Sequence, residues 1–234
     1  MKTITHSLLA AKAAEYGEAA KSQLHQDAFV LEVLGQKRNG YFVDVGAASG
    51  VALSNTYLLE KKFNWDGILV EPARGWHASL YTHRTSHVCL QAAWSESGKL
   101  LPFMEPADAC LASLACRAAG DGFETIRFAP TTTTYDVATV SLLDLLDGFE
   151  APTIIDYLSL DTEGSEGDVL ESHDFAKYRF RIITCEHNHN QARRQKVHEI
   201  LTRNGYQRAH EDLSIFEDWY LHESVESEEG SCPR

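Results

Sequence analysis

The amino-acid sequence predicts an α/β fold with a mostly parallel central sheet, helices on both faces and a closing antiparallel strand. Short apolar runs alternate with helical patterns along the chain, which is the order that a parallel sheet requires. Three of these runs stop on acidic or flexible residues, at Asp44-Val45-Gly46, at Glu71 and at Asp161. Because the carboxyl ends of parallel strands share one sheet edge, where ligands bind, we expect these three places to form one site.

The first half of the chain alternates between the two patterns. Residues 3–34 are rich in Ala, with apolar residues three and four apart, which predicts helical structure ending near Gly35. The apolar runs at 41–45 and 67–70 stop at the polar strand ends named above and predict strands. Helices are then expected over 51–63 and 76–85, and a third strand over 87–94.

A less regular stretch interrupts the second half. Residues 106–134 mix Ala, Gly and Cys without a clean period, and connections this long are usually lids or binding loops; a disordered insertion is the alternative. Ser141 is the expected N-cap of a short helix, and Asn204-Gly205 ends the last helix. The further expected strands are 100–104, 137–140, 157–160, 180–185, 206–209 and 214–220, and the further helices are 141–146, 167–173 and 191–204.

Length and composition indicate one domain. The 234 residues suit a single folded unit over 1–222, with an N-terminal helical segment over 1–35 and a loose acidic tail over 223–234. Acidic residues outnumber basic ones 34 to 21, and the formal charge of −13 argues against binding to nucleic acid. No apolar run reaches the roughly 20 residues that cross a bilayer, and 1–10 lacks the apolar core of a secretory signal.

The cysteines indicate a reducing compartment. They are odd in number and show no C-x-x-C spacing, so they fit neither a disulfide framework nor a zinc site. We therefore expect reduced thiols in a cytoplasmic protein. The five are Cys89, Cys110, Cys116, Cys185 and Cys232.

A glycine-containing turn follows the first predicted strand. Its pattern, D-x-G-x-x-x-G from Asp44 to Gly50, lets the backbone approach a ligand at Gly46 and Gly50, and a helix is expected directly after it. Dinucleotide enzymes instead use G-x-G-x-x-G to cradle a pyrophosphate. Fewer glycines and an acid at the strand end suit a cofactor with a positive charge and no phosphates, such as S-adenosylmethionine. A ligand-free turn is the alternative.

Glu71 strengthens the case for a cofactor. It ends the second strand, about 20 residues beyond the glycine turn, where a carboxylate can accept hydrogen bonds from both hydroxyls of a ribose. A solvated charge before Pro72 is the alternative. Turn and acid together favour a nucleoside cofactor.

Five blocks of sequence occur in an order that resembles a known family. They read FVDVGAASG (42–50), LSNTYLLE (53–60), WDGILVEP (65–72), LSLDTEGSE (158–166) and EHN (186–188). Together they resemble the FkbM family of S-adenosylmethionine-dependent methyltransferases, over residues 23–205. The resemblance implies a Rossmann-like class I methyltransferase fold and O-methylation of a sugar-like or natural-product acceptor. Ala48-Ser49 departs from the polar pair that many members carry there.

Further cofactor contacts are expected around this turn. The resemblance implies that Gln26 and Asp27 lie over the methionine end of the cofactor; polar residues on a helix face are the alternative. Asn55 is expected one turn into the following helix, facing the same pocket. The end of the third strand offers small residues for an adenine ring. The complete expected cofactor set is Gln26, Asp27, Asp44, Gly46, Ala47, Gly50, Asn55, Glu71, Ala92 and Ala93.

Methyl transfer to a hydroxyl needs a base, or a metal that lowers the pKa of the hydroxyl. His187 is the candidate base, because histidine usually titrates near working pH, and Asp161 and Glu163 are expected beside it. Alternatively, Asp161, Glu186 and His187 bind Mg²⁺. Glu166 is expected to cap the helix that follows it.

The insertion over 106–134 is expected to shape the acceptor pocket, with Arg117, Arg127 and Tyr135 as candidate contacts. Its deletion should then spare cofactor binding and abolish turnover. The main hypothesis is an O-methyltransferase that acts on a small acceptor, a sugar or glycosylated metabolite, with no nucleic acid or membrane as partner. The alternatives are an N-methyltransferase on the same fold, a nicotinamide oxidoreductase, which the glycine turn disfavours, and a non-catalytic cofactor-binding module. A homo-oligomer is left open.

Overall fold

A computed structural model describes residues 4–225 of the chain. Cys232 and the predicted acidic tail from residue 226 onward lie outside the described residues. Between residues 4 and 225, no helix is both long enough and apolar enough to cross a membrane.

Strands and helices alternate through most of the chain. The strands are β1 (Tyr41–Val45), β2 (Asp66–Val70), β3 (His87–Cys89), β4 (Ala92–Ala93), β5 (Leu100–Glu105), β6 (Ser113–Leu114), β7 (Thr133–Val140), β8 (Ile154–Leu160), β9 (Arg179–Glu186), β10 (Tyr206–Ala209) and β11 (Glu217–His222). The helices are α1 (His6–Tyr16), α2 (Gln26–Val33), α3 (Tyr57–Phe63), α4 (Arg74–His83), α5 (Glu124–Arg127), α6 (Leu142–Gly148), α7 (Glu166–Glu171) and α8 (Gln191–Arg203). Short 3-10 helices span Gly17–Ala19 and Ala109–Leu111.

The main sheet is mostly parallel, as the sequence predicts. Its strand order is β10-β11-β9-β8-β1-β2-β3. The pairs β1–β2, β2–β3, β1–β8 and β8–β9 are parallel, whereas β11 runs antiparallel to both β9 and β10. This confirms the predicted fold class, including the closing antiparallel strand. The strand order reverses direction between β1 and β8, which opens a crevice at the carboxyl ends of these strands.

Helices cover both faces of this sheet. Successive side chains of a strand point to opposite faces, so neighbouring residues of β1 belong to different parts of the core. Val43 and Val45 pack on the side of α6, α7 and α8, whereas Phe42 packs on the side of α2, α3 and α4. Burial on both faces explains why the parallel strands are continuous apolar runs.

A second sheet, of order β4-β7-β5-β6, lies beside the main one and was not predicted. The predicted single strand over 87–94 is wrong, because its two ends pair in different sheets. His87–Cys89 pairs with β2, and Ala92–Ala93 pairs in parallel with the end of β7. Ala92 packs against Phe103 and Val137 in a separate apolar cluster. This packing favours pairing of Ala92–Ala93 with the second sheet over continuation of β3 in the main sheet.

Two predicted helices differ from the structure. The helical segment over 3–34 is broken into α1 and α2, because the chain passes through positive φ at Gly17 (63°) and His25 (64°). The helix predicted over 51–63 begins only at Tyr57. Before it, the hydroxyls of Ser49 and Ser54 accept hydrogen bonds from nearby backbone N–H groups, which stabilises turns in place of the first helical turns.

Candidate functional site

A cavity of about 310 Å³ lies at the carboxyl ends of the parallel strands. Small-molecule sites commonly span about 300–1,000 Å³, so this volume suits a small ligand. The three acidic strand ends that were expected to form one site, Asp44, Glu71 and Asp161, all line it. The structure therefore brings together residues that are far apart in the sequence.

The two glycines of the turn after β1 have different surroundings. Gly46 lines the cavity at φ 87°, and a Cβ atom there would stand 1.6 Å from the carbonyl oxygen of Asp161, so no other residue fits between β1 and β8. Gly50 does not line the cavity, which corrects its expected cofactor contact. A Cβ atom on Gly50 would stand 2.7 Å from Leu80 Cδ2, and its carbonyl accepts a hydrogen bond from Arg84. Gly50 thus allows α4 to pack against the turn.

Glu71 is held in place by backbone N–H groups. Its two carboxylate oxygens accept from Ala48 N at 2.8 Å and from Ala73 N at 2.7 Å. Burial raises the pKa of Glu71 to about 7, despite these two hydrogen bonds. Because Ala48 contributes its backbone N–H, its small side chain does not prevent the turn from contacting Glu71.

Asn55 and Asp44 lie side by side in the cavity wall. Asn55 belongs to the loop before α3, which corrects its predicted position inside a helix. Its Nδ2 donates to Ser159 Oγ at 3.0 Å, and its Oδ1 is buried without a hydrogen-bond partner. Asp44 accepts a hydrogen bond from Thr56 Oγ1 at 2.6 Å, and burial raises its pKa.

The remaining expected cofactor residues divide into two groups. Gln26, Ala47, Ala92 and Ala93 line the cavity. Asp27 does not line the cavity, which corrects its predicted role. Its carboxylate accepts hydrogen bonds from Ser22 Oγ at 2.5 Å and from the backbone N–H groups of residues 21 and 28. These bonds hold the start of α2 in place.

Three carboxyl groups meet at the ends of β8 and β9. One oxygen each of Asp161, Glu163 and Glu186 lie within 4.8 Å of one another. Burial raises the pKa of Asp161 to about 6, and the charges of Glu166 and Asp44 add to this effect. Burial together with repulsion from Asp161 raises the pKa of Glu163 to about 8, and burial together with repulsion from Asp161 and Glu163 raises the pKa of Glu186 well above its ordinary value. Asn188 Nδ2 donates to Glu163 at 3.1 Å and to Glu186 at 2.8 Å. Carboxyl groups tuned this way can exchange a proton near neutral pH.

His187 lies outside the lining of this cavity. Its Nδ1 accepts from the backbone N–H of His189 at 3.1 Å, and its Nε2 stands 4.0 Å from Asp218. Burial lowers its pKa. Consecutive side chains at a strand end point to opposite sides, so Glu186 reaches the cavity and His187 does not. This corrects the expected grouping of His187 with Asp161, and Glu163 takes its place in the cluster.

The segment over 106–134 forms one wall of the cavity. Ala109, Leu111, Leu114 and Phe123 line it, and the segment contains a 3-10 helix, β6 and α5. It is therefore not a disordered insertion. Because the segment supplies cavity wall, its deletion is no longer expected to spare cofactor binding.

The three polar side chains expected to contact an acceptor do not line the cavity. Arg127 is fully buried and pairs with Asp121 and Glu163, both at 2.5 Å. Arg117 pairs with Asp168, on α7, at 2.7 Å. Tyr135 donates a hydrogen bond to the carboxylate of Glu105, which also accepts from the first backbone N–H groups of α4. All three side chains therefore stabilise the surrounding structure and do not face the cavity.

Glu166 lies where an acid that caps α7 was expected, but its hydrogen bonds go to the loop before this helix. It stands in the first turn of α7, and its Oε1 accepts from Thr162 N at 2.9 Å and from Gly164 N at 3.0 Å. It therefore fixes the loop that carries Glu163.

Glu217 lines the cavity but is absent from the sequence-based set. It begins β11 opposite Glu186 in the antiparallel pair, and burial raises its pKa to about 7. An acid within the last predicted strand, over 214–220, was the available signal. Its place at this edge follows only from the reversed direction of β11.

These residues fit S-adenosylmethionine. The cofactor carries a sulfonium and an ammonium group, and the cavity offers carboxylates together with the unpaired acceptor Asn55 Oδ1. Glu71 is placed for a ribose, and Ala92 and Ala93 leave room beside it. The fold and this cavity define a Rossmann-like class I methyltransferase.

Comparison with known proteins identifies the family. The family model described as methyltransferase FkbM domain matches residues 44–208, and the chain belongs to this family. No curated protein sequence matches the chain. The METTL16 methyltransferase domain is 13% identical at a TM-score of 0.44, over 85% of this chain and 66% of that one. The precorrin-6y C5,15-methyltransferase from Geobacter metallireducens GS-15 is 14% identical at a TM-score of 0.42, over 83% and 87%.

Proposed function

We propose that the chain is an S-adenosylmethionine-dependent O-methyltransferase that acts on a hydroxyl of a small sugar-like or natural-product acceptor. The observation that carries this proposal is the carboxyl cluster in the cavity, where Asp161, with a pKa of about 6, is ionised at neutral pH and can accept a hydroxyl proton. An N-methyltransferase on the same fold is the alternative, because the fold does not determine the acceptor.

Each part of the cavity has a proposed task. The bound cofactor supplies the methyl group. Glu71 accepts hydrogen bonds from the ribose hydroxyls, and Gln26 and Asn55 hold the methionine end. Asp161 is the proposed base, since its pKa of about 6 keeps it ionised at neutral pH. Glu163, with a pKa of about 8, then carries a proton and donates a hydrogen bond within the cluster.

A divalent cation is a second proposal for the same cluster. The oxygens of Asp161, Glu163 and Glu186 lie close enough together to share one ion, and Mg²⁺ prefers such hard donors. A bound cation would lower the pKa of an acceptor hydroxyl and would replace Asp161 as the group that activates it.

Calorimetric titration with S-adenosylhomocysteine tests the proposal. We expect micromolar binding of this ligand and no binding of NAD, which is the control. If Mg²⁺ tightens the binding, the carboxyl cluster holds a cation; if Mg²⁺ has no effect, Asp161 remains the proposed base. Binding of NAD alone, or of neither ligand, would contradict the methyltransferase activity.

The cellular setting is also a proposal. We propose one methyltransferase domain in the cytoplasm, with a small molecule as its partner and neither nucleic acid nor membrane. The four described cysteines are free thiols, which supports a reducing compartment. The formal charge of −13 supports the exclusion of nucleic acid. Size-exclusion chromatography with light scattering will determine whether the protein forms a homo-oligomer.

A further inference from the structure

Glu217 is a buried acid of the cavity wall that has no task in the proposed function. Only 5% of its surface is exposed, and it lines the cavity from the start of β11. Its neighbour Asp218 points to the opposite side of the strand, where it pairs with Arg194 at 2.7 Å and with Arg208 at 3.2 Å. Among the described residues 4–225, no Lys, Arg or His lines the cavity, so Glu217 meets no positive side chain there.

Neutral donors hold the carboxyl group of Glu217 in one position. The indole Nε1–H of Trp219 donates a hydrogen bond to Glu217 Oε1, and the side chain of Gln26 is also hydrogen-bonded to Glu217. Gln26 Oε1 accepts from Leu24 N at 2.9 Å, which leaves the Nε2 hydrogens of Gln26 as the donors. Trp219 is itself completely buried and stacks on Phe29 of α2, with the ring centroids 4.3 Å apart. The carboxyl group is therefore a fixed hydrogen-bond acceptor.

What Glu217 lacks is a positive partner. A carboxylate that is buried without a counter-charge is unfavourable, and a positive ligand group that binds beside it would supply that charge. With two donors engaged, the carboxylate still has unused lone pairs for a further donor. Gln26, which is proposed to hold the methionine end of the cofactor, contacts Glu217 directly. The amine at that end is therefore the positive group that Glu217 is placed to receive.

We propose that Glu217 binds the protonated amine at the methionine end of S-adenosylmethionine, and that it thereby selects nucleosides that carry this amine. This inference rests on the proposed function. Charge-assisted hydrogen bonds of this kind are roughly twice as strong as neutral ones. The carboxylate of the cofactor is attached to the same carbon atom as the amine and needs donors of its own. Gln23, which lines the cavity shortly before Gln26 in the sequence, offers the N–H groups of a neutral amide for it.

Two nucleoside ligands isolate this contact without knowledge of the acceptor. S-adenosylhomocysteine carries the amine, and its desamino analogue carries a hydrogen atom in that place, while the nucleoside, the thioether and the carboxylate are the same. Both ligands are titrated calorimetrically into the wild-type protein in the presence of EDTA, so that no divalent ion occupies the carboxyl cluster. We expect S-adenosylhomocysteine to bind about tenfold more tightly than the analogue, the gain expected of a hydrogen bond to a charged group.

Substitution of Glu217 shows whether this residue causes the preference. Glu217→Gln removes the negative charge and keeps the size of the side chain. We expect it to weaken the binding of S-adenosylhomocysteine about tenfold and not to weaken the binding of the desamino analogue, so that the preference for the amine disappears. If this variant does not fold, as judged by thermal melting, Glu217→Asp takes its place. It withdraws the carboxylate by one methylene group and is expected to cause the same loss.

Glu186→Gln is the matched control. Glu186 lies opposite Glu217 in the antiparallel pair of β9 and β11, and both line the cavity. The control therefore removes the same charge from the same cavity at a neighbouring position. It is expected to leave the preference for the amine unchanged.

The outcomes separate this inference from the proposed function. If the wild type binds both ligands equally, or if Glu217→Gln retains the preference or weakens both ligands alike, Glu217 does not bind the amine and the methyltransferase proposal stands. If Glu186→Gln removes the preference as fully as Glu217→Gln does, the effect belongs to the net charge of the cavity, and the inference is overturned. If neither ligand binds to the wild type, the proposed function itself fails.

Discussion

Arg127 is expected to support the fold of the cavity wall through buried charge. Its side chain is completely inaccessible, and it pairs with Asp121, which is also completely inaccessible, and with Glu163. Its Nε donates to the carbonyl of Leu111, a residue that lines the cavity. Arg127→Met removes the charge and keeps much of the apolar volume. Asp121 then stays buried without its main partner.

The expected loss of stability follows from this geometry. Removing one partner of a buried ion pair typically costs about 3–5 kcal/mol. The lower end applies here, because Arg193 still approaches Asp121 at 3.5 Å and because Glu163, whose pKa is raised to about 8, already carries a proton near neutral pH. For a chain of this size, about 3 kcal/mol corresponds to a decrease in Tm of about 6–12 °C.

Chemical denaturation and thermal melting of Arg127→Met measure this loss directly. Arg203→Met is the matched control, since Arg203 pairs with Glu171 at 2.7 Å while about half of each side chain is exposed. Such a surface pair contributes about 0–1 kcal/mol. If the two variants lose equal stability, or if Arg127→Met melts like the wild type, the buried pair does not hold the wall.

Three further predictions concern the site. Gly46→Ala is expected to destabilise the protein by several kcal/mol and to abolish calorimetric binding of S-adenosylhomocysteine. Gly98→Ala is the control: Gly98 has φ 79°, but an added Cβ atom would meet no atom within 4 Å. This substitution should cost only about 1–2 kcal/mol in denaturation experiments. Burial raises the folded-state pKa of Glu217 from 4.5 to about 7, so this group's contribution to stability falls as the pH rises from 4.5 to 7. Glu217→Gln should lessen this fall. The measurement is the change in the free energy of unfolding between about pH 5 and pH 8, compared between the variant and the wild type. Asp161→Asn should slow methyl transfer by about 100-fold or more, and His187→Ala by less than about tenfold, in single-turnover assays; the reverse ranking would restore His187 as the base.

The parallel centre of the main sheet, and the edge at which the site lies, could be predicted from the sequence. The apolar runs of β1, β2, β8 and β9 are readable because strands buried on both faces need an apolar side chain at nearly every position. The acids that end them, Asp44, Glu71 and Asp161, stand out for the same reason. The topology of a parallel sheet then places all such ends on one edge.

The side chains that face the cavity could not be predicted from the sequence, because their directions depend on strand register and on long-range packing. Glu186 and His187 are adjacent in sequence, and a one-residue shift in the register of β9 would exchange their directions. A strand that is buried on both faces is apolar at nearly every position, so its pattern does not show which residues point to which face. The packing of 106–134 through Arg127 depends on long-range ion pairs, and the arrival of Glu217 depends on strand direction. Neither leaves a periodic signal in the sequence, because both contacts join segments that are distant along the chain.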